Sequence, residues 1–340
     1  MLPKAQNILR MKLLIRVFYR FINYKFSNKH KPISLTINLT GKCNLKCKTC
    51  KVWKNKSRDL EFSEWKKISE KIETPLWITI TGGEPFLRED FSEIIKSICK
   101  NAKPVVLNIA TNGMLTEKII KDIKKIKDSY SGILRINISI DGLKETHELI
   151  RGKVCYDRAI ETFRQLKRIN GIQVGFHTTI SKHNISEVKK IYEEHKSLKP
   201  DSHNFEIAQI RHELKNQDSE IEAEKDQIIK VMNYLVKSEK KPFPISIVGG
   251  FRKSYYRHII GLLKGHSPLK CRAARDSFYI TNTGKVWSCC VLGKEIGDLK
   301  KEPLNRIINS KQAQDARELA RNCSCTMANA YITNRICKII

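Results

Sequence analysis

The sequence predicts an α/β protein: a partial (β/α)6 barrel of parallel strands followed by a small cysteine-rich C-terminal domain. Three observations carry this reading. Short β-branched runs ending in Gly or Asn turns alternate with helical runs six times between residues 33 and 210. Such alternation, with apolar strands, builds a parallel sheet covered by helices. Cys43, Cys47 and Cys50 follow the first of these runs directly, and six of the eleven cysteines crowd the end of the chain, from Cys271 onward.

Residues 1–32 read as a basic amphipathic segment. Within 7–25, Ile8, Met11, Leu14, Ile15, Phe18, Phe21 and Ile22 recur at three- and four-residue spacing, with Lys12, Arg16 and Arg20 opposite. The pattern predicts a helix. It has three readings: a cap on the main domain, an interfacial helix in peripheral contact with the inner, anionic face of a membrane, or an organelle transit peptide, which the lack of serines disfavours. Its charges exclude a membrane span and a secretory h-region. A cytoplasmic location with reduced thiols is therefore expected.

The barrel domain is expected over 33–245. Its strands are 33–40, 76–82, 105–113, 134–142, 172–180 and 202–210, with helices at 63–73, 89–101, 116–128, 156–169 and 185–197. A charged helix over 219–240 comes next. The stretch 241–250, with two prolines and two glycines, reads as a break, and 246–268 as a connector of ambiguous structure. The cysteine-rich unit spans 269–340. In "FYITNTGKVWSC" a hairpin is expected with its turn at Asn282–Gly284.

The formal charge is +29. No Asp or Glu precedes Asp59, while residues 1–58 hold fifteen Lys and Arg. Such asymmetry points to an anionic partner: a membrane surface, nucleic acid or an acidic substrate. No RNA-binding module signature is present, which makes nucleic acid the weaker choice.

Clustered cysteines in a reduced compartment point to metal or catalysis. Cys99 and Cys155 stand alone in helical patterns and read as buried small hydrophobes. A four-iron, four-sulfur cluster takes four thiolates. The C-x3-C-x2-C loop "TGKCNLKCKTC" offers three, which leaves one iron free to bind a small molecule. Zinc is the competitor, but the downstream candidates are poorly spaced for a closed four-ligand site.

C-x3-C-x2-C after a first strand resembles the radical S-adenosylmethionine (SAM) superfamily. "TGGEP" (81–85) at the end of the second strand strengthens the match, as do "TNG" (111–113), "SIDG" (139–142) and "IRG" (150–152). The resemblance covers roughly residues 33–210. It implies that Cys43, Cys47 and Cys50 hold a 4Fe-4S cluster whose open iron chelates SAM. Gly82, Gly83, Glu84 and Pro85 would contact the methionine amino end of SAM, and Ser139 and Asp141 its ribose or the substrate. The implied chemistry is reductive cleavage of SAM to a 5′-deoxyadenosyl radical that takes a hydrogen atom from a substrate. A reductant such as ferredoxin or flavodoxin is implied with it. One position departs from the family pattern: Thr49 stands where an aromatic residue often precedes the third cysteine.

The C-x12-G-x4-C segment from Cys271 to Cys289 resembles the start of a SPASM or twitch extension. With "CSC" at 323–325 it offers Cys271, Cys289, Cys323 and Cys325 for one auxiliary 4Fe-4S cluster, in a shortened form of that extension. Cys290 and Cys337 remain as substitutes, and a structural zinc knot as the alternative filling. An auxiliary cluster suggests a net oxidation or a bond-forming step. The substrate expected is a peptide or a lipid- or saccharide-type envelope precursor. An RNA-modifying enzyme and a non-catalytic iron–sulfur electron carrier are the alternatives. His147, His177, Arg211 and His212 lie near strand ends and are further candidates for the cavity.

Overall fold

The structure, a computed structural model, describes residues 32–239, 247–321 and 323–339. The helix expected over 7–25 and most of the break at 241–250 lie outside these residues. No helix among the described residues is long and apolar enough to cross a membrane.

Six parallel strands form the barrel wall: β1 (Ser34–Asn38), β2 (Trp77–Thr81), β3 (Val106–Thr111), β4 (Ile133–Ser139), β5 (Gln173–Ile180) and β6 (Ser202–Ile207). Helices α1 (Phe62–Lys71), α2 (Phe91–Ala102), α3 (Thr116–Ser129), α4 (Lys144–Arg151), α5 (Tyr156–Lys167) and α6 (Val188–Ser197) lie between and after them. Each expected strand is present, trimmed at one or both ends; Gly82, Asn112, Gly113 and Gly142, placed at the ends of the second, third and fourth, belong to the loops.

Strand alternation decides what faces what. Leu35, Ile37, Ile78, Ile80, Leu107, Ile109, Ile136 and Ile138 are buried in one apolar core with Trp65, Phe91 and Phe163 of the outer helices. Fully burying one such side chain contributes about 1.5–3 kcal/mol. The alternate positions, Thr36, Thr79, Asn108, Asn137, His177 and Asn204, line an interior cavity. The barrel is therefore hollow, with polar side chains at these strand positions among an otherwise largely apolar lining, where a closed TIM barrel packs branched side chains.

The last third joins the same sheet. The strands of the hairpin are β7 (Ser277–Ile280) and β8 (Lys285–Trp287), antiparallel as expected, with β9 (Glu295–Asp298) beside them. β7 also pairs in parallel with β1, Ser34 opposite Ser277. The nine strands run β6-β5-β4-β3-β2-β1-β7-β8-β9. Phe278, Ile280, Val286 and Leu304 share the barrel core. The sequence sets 269–340 apart as a small domain. Within this stretch, β7 hydrogen-bonds to β1 and so extends the main sheet, covering an edge of β1 that would otherwise be free.

Helices α7 (Lys225–Ser238), α8 (Ile247–Leu263) and, after two short helices α9 (Leu304–Ile308) and α10 (Lys311–Leu319), α11 (Ala328–Ile339) complete the described chain. α8 occupies most of the stretch left ambiguous by the sequence. Tyr255 and Tyr256 of α8 and Tyr331 of α11 pack with Phe205 and Ile207 of β6. Tyr255 donates to the Thr326 carbonyl at 2.6 Å, tying α8 to the chain before α11. Together α8 and α11 wall the side that the open barrel leaves uncovered.

Candidate active site

The C-terminal ends of the strands and the hairpin surround one cavity of about 580 Å³. Cys43, Cys47 and Cys50 line it, and so do Cys271, Cys289, Cys323 and Cys325. Two cysteine sets more than two hundred positions apart in sequence thus open onto one space.

The first set sits on the loop after β1. Its shape comes from specific ties. Thr40 Oγ1 and the Gly41 N–H donate to the carboxylate of Asp59 at 2.5 and 2.9 Å. Asn282 Nδ2, in the hairpin turn, donates to the same carboxylate at 2.7 Å. The cluster loop is thereby fastened to the C-terminal hairpin. Burial pushes the Cys43 thiol up to about 11 and Cys50 up to about 12, and the neighbouring thiols add repulsion. Burial also raises Cys47, opposed by the Arg151 guanidinium. Three thiols held together inside the protein are disfavoured as anions unless a cationic centre binds them. No group of three or more His, Cys, Asp or Glu among the described residues is arranged to hold a single metal ion. Cysteine donors around a cavity wider than one ion suit an iron–sulfur cluster.

The TGGEP loop meets this loop backbone to backbone. The Gly83 N–H donates to Thr40 O at 2.8 Å and the Glu84 N–H to Lys42 O at 2.9 Å. Gly82 and Gly83 line the cavity; Glu84 and Pro85 do not. The Glu84 carboxylate is 1% exposed. It accepts from Thr111 Oγ1 at 2.8 Å, the Asn112 N–H at 2.7 Å and the Phe86 N–H at 3.3 Å. Burial pushes its carboxyl up to about 7. The Glu84 side chain thus joins the second and third strand loops from behind the cavity wall.

Ser139 and Asp141 both line the cavity. Asp141 pairs with Arg151 at 2.7 Å and accepts from the Thr179 N–H at 2.9 Å. Arg151 in turn reaches Cys47 Sγ at 3.8 Å. Sequence reasoning marked "IRG" without assigning the arginine a role. Its place is set by Gly152, which ends α4 at φ 70° and where a Cβ would lie only 3.0 Å from Lys46 O. Only glycine suits both conditions.

In the second set, the Cys323 thiol is hydrogen-bonded by Cys271 and by Cys325, so it is held down while its two partners are pushed up. Cys289 lies close enough to interact with Cys271 and Cys323. Cys337 is elsewhere, 3.6 Å from Asp276. Cys290 lines the cavity but faces Glu213 and Arg211. Of the further candidates, His177 and Arg211 line the cavity. His177 Nε2 stands 3.4 Å from Glu206, and Arg211 pairs with Glu213 at 3.1 Å. His147 is buried and accepts from the Asp141 N–H at 3.0 Å. His212 packs against Trp287 instead, ring centroids 5.0 Å apart. Thr49 lines the cavity and Trp53 does not. Tyr279 was not singled out by sequence. It lines the cavity, accepts from Asn38 Nδ2 at 3.0 Å and hydrogen-bonds Glu213.

A parallel open barrel with three thiols at the end of its first strand and a glycine loop at the end of its second defines an enzyme class, and the comparisons agree. Residues 37–195 match the radical SAM superfamily profile. Residues 271–328 match the SPASM profile, described as an iron–sulfur cluster-binding domain. The chain thus carries a radical SAM match followed by a match to an iron–sulfur cluster-binding SPASM domain. It is similar to the Fe-coproporphyrin III synthase of Methanosarcina barkeri, 28% identical over 66% of this chain and 56% of that protein. It is also similar to the AdoMet-dependent heme synthase of the same organism, 25% identical over 86% and 87%. The chain spans about half the length of the first curated relatives it matches, 56%, 43% and 40%. Its fold resembles that of anSMEcpe with bound AdoMet, TM-score 0.65 at 19% identity, covering 85% of this chain and 83% of that one.

Proposed function

We propose that Cys43, Cys47 and Cys50 hold the SAM-cleaving cluster, that Cys271, Cys289, Cys323 and Cys325 hold an auxiliary cluster, and that a polar substrate is oxidised by hydrogen abstraction in the lumen between them. The observation that carries this is the single cavity onto which both thiol sets open. When bound, the first cluster and SAM supply a hydrogen-abstracting 5′-deoxyadenosyl radical, and the second an electron acceptor.

The chain's own residues supply position and protons. Gly82 and Gly83 let backbone approach the SAM methionine closely. Arg151 places its charge beside Cys47 and holds Asp141 in a buried ion pair. Oxidation by loss of a hydrogen atom and an electron also releases a proton. The His177 imidazole, which turns its Nε2–H to the Glu206 carboxylate, is the lumen group suited to take it, at Nδ1. α8 and α11 exclude water from the reactive space.

Thr36, Thr79, Asn108, Asn137 and Asn204 give the lumen hydroxyl and amide groups. They match an amide- and hydroxyl-bearing chain, a peptide segment first and the saccharide part of an envelope precursor second. The test uses anaerobically reconstituted enzyme, SAM and dithionite with three deuterated pools: peptides, lipid-linked saccharides and tRNA. Deuterium entering 5′-deoxyadenosine from the peptide or saccharide pool is expected. Transfer from tRNA alone moves the reading to RNA modification, and no transfer from any pool overturns it.

A further inference from the structure

The lysines of the cluster loop have no part in the chemistry above. Residues 42–58 carry seven Lys and Arg and no Asp or Glu. The fold sorts this loop by side. Its three cysteines line the cavity. Lys42, Lys46, Lys48, Lys54 and Lys56 are exposed on the outside. Lys46 and Lys54 hold their Nζ atoms 5.5 and 5.4 Å from the centre of the half-buried Trp53 ring.

Two segments extend the same face. The Lys48 N–H donates to Ile150 O at 2.8 Å, and this brings exposed Lys153 alongside. Leu149 and Val154 flank it, 59% and 77% exposed. On the other side, Lys215 Nζ reaches Asn55 Oδ1 at 3.3 Å. The bordering acids are already engaged: Asp218 by Lys51 and Glu220 by Lys182. The result is a positive rim around one aromatic and two aliphatic side chains.

Each surface charge contributes little alone, but a single-sign face steers an oppositely charged partner and loses that effect as salt rises. The placement narrows the partner further. Lys46 and Lys48 flank Cys47 in sequence, so the face is the outer surface of the same loop whose inner surface presents the thiols. Electron-transfer partners use small, weakly held interfaces of this kind.

We propose that Lys46, Lys48, Lys54, Lys56, Lys153 and Lys215, around Trp53, dock a small acidic one-electron carrier protein of flavodoxin or ferredoxin type. The proposal rests on the assignment of the SAM-cleaving cluster to Cys43, Cys47 and Cys50. The reduced carrier loses one electron. That electron is consumed in breaking the S–C5′ bond of SAM, which gives methionine and the 5′-deoxyadenosyl fragment, and no proton is exchanged.

The test compares the wild type with the triple variant Lys56→Glu, Lys153→Glu and Lys215→Glu, all outside the thiol and SAM contacts. The probes are dithionite and a reduced bacterial flavodoxin of net negative charge. Both proteins should form 5′-deoxyadenosine at equal rates with dithionite. With flavodoxin the variant should lose at least tenfold in kcat/KM (about 1.4 kcal/mol), and the wild-type rate should fall as salt rises. Zero-length carbodiimide cross-linking of flavodoxin to the wild type, a readout independent of turnover, should map to Lys54, Lys56, Lys153 or Lys215. Equal flavodoxin kinetics in the two proteins, or cross-links confined to another face, overturn the docking site. The same holds if anionic vesicles bind the wild type but not the variant while flavodoxin kinetics are unchanged; the face is then a lipid surface. No 5′-deoxyadenosine from the wild type with dithionite overturns the cluster assignment itself, and the docking site with it.

Discussion

Gly83→Ala tests whether the TGGEP loop positions the first thiol set. A Cβ at residue 83 would lie 2.0 Å from Lys42 O, 2.5 Å from its carbonyl carbon and 3.0 Å from the Cβ of Cys43. The first distance is 1.4 Å short of 3.4 Å, where ordinary contact begins. The atoms met are backbone, so no flexible side chain can move aside. Relief requires separating the two loops, which strains or breaks the bonds Gly83 N–H to Thr40 O and Glu84 N–H to Lys42 O, 2.8 and 2.9 Å long. Overpacking costs about 1–3 kcal/mol, and each lost bond about 1 kcal/mol. The total is about 3–5 kcal/mol, or a fall in Tm of roughly 4–7 °C. The displaced residue, Lys42, directly precedes Cys43, so the damage concentrates on the first cluster. Anaerobic reconstitution followed by iron and sulfide analysis, with a thermal melt by circular dichroism, reads both effects. A folded variant lacking about four irons relative to wild type is expected. Full iron loading with an unchanged Tm would refute the close-approach reasoning.

Glu84→Ala leaves the Asn112 N–H and the Thr111 hydroxyl without their acceptor, so urea unfolding should show a loss of about 2–4 kcal/mol. Burial raises the Glu84 carboxyl to about 7 from 4.5. The unfolded chain therefore releases this proton first, and wild-type stability should fall as pH rises from about 4.5 to 7. Glu84→Gln should flatten that slope, and an unchanged slope counts against the buried carboxyl as its source. Arg151→Ala leaves Asp141 buried without its cation and should destabilise by about 3–5 kcal/mol. Arg151→Lys should recover part of this in the same denaturant titration. Cys325→Ser should remove about four irons while leaving dithionite-driven 5′-deoxyadenosine formation in place; loss of the first cluster's activity instead would show that the two sets are not independent.

The strands were legible because β-branched runs between Gly and Asn turns are a local signal. The meaning of their alternation was not read. Thr36, Thr79, Asn108 and Asn137 sit at every second position within runs that otherwise pass for apolar. Only closure of the sheet turns them into polar positions of the lumen. The thiol motifs were equally local. Arg151 was not assignable, because its role depends on Asp141 and on a glycine that packs against Lys46 O, contacts the spacing of "IRG" does not encode. The hairpin at 277–287 was visible, but its partner was not: pairing with β1 is a choice among all free edges. α8 was obscured by the prolines and glycines just before it, which mark a break but carry no signal for the helix beyond.

β1 joins two distant parts of the chain. It pairs with β2 on one side and, roughly 240 positions later, with β7 on the other. At roughly 5–20 residues per second, tens of seconds separate synthesis of β1 from synthesis of its second neighbour. During that interval the nascent chain displays Cys43, Cys47 and Cys50 on a loop whose anchor, Asn282, does not yet exist, beside a strand with an open edge. A fragment ending before residue 269 keeps the three thiols but lacks the strand that shields β1.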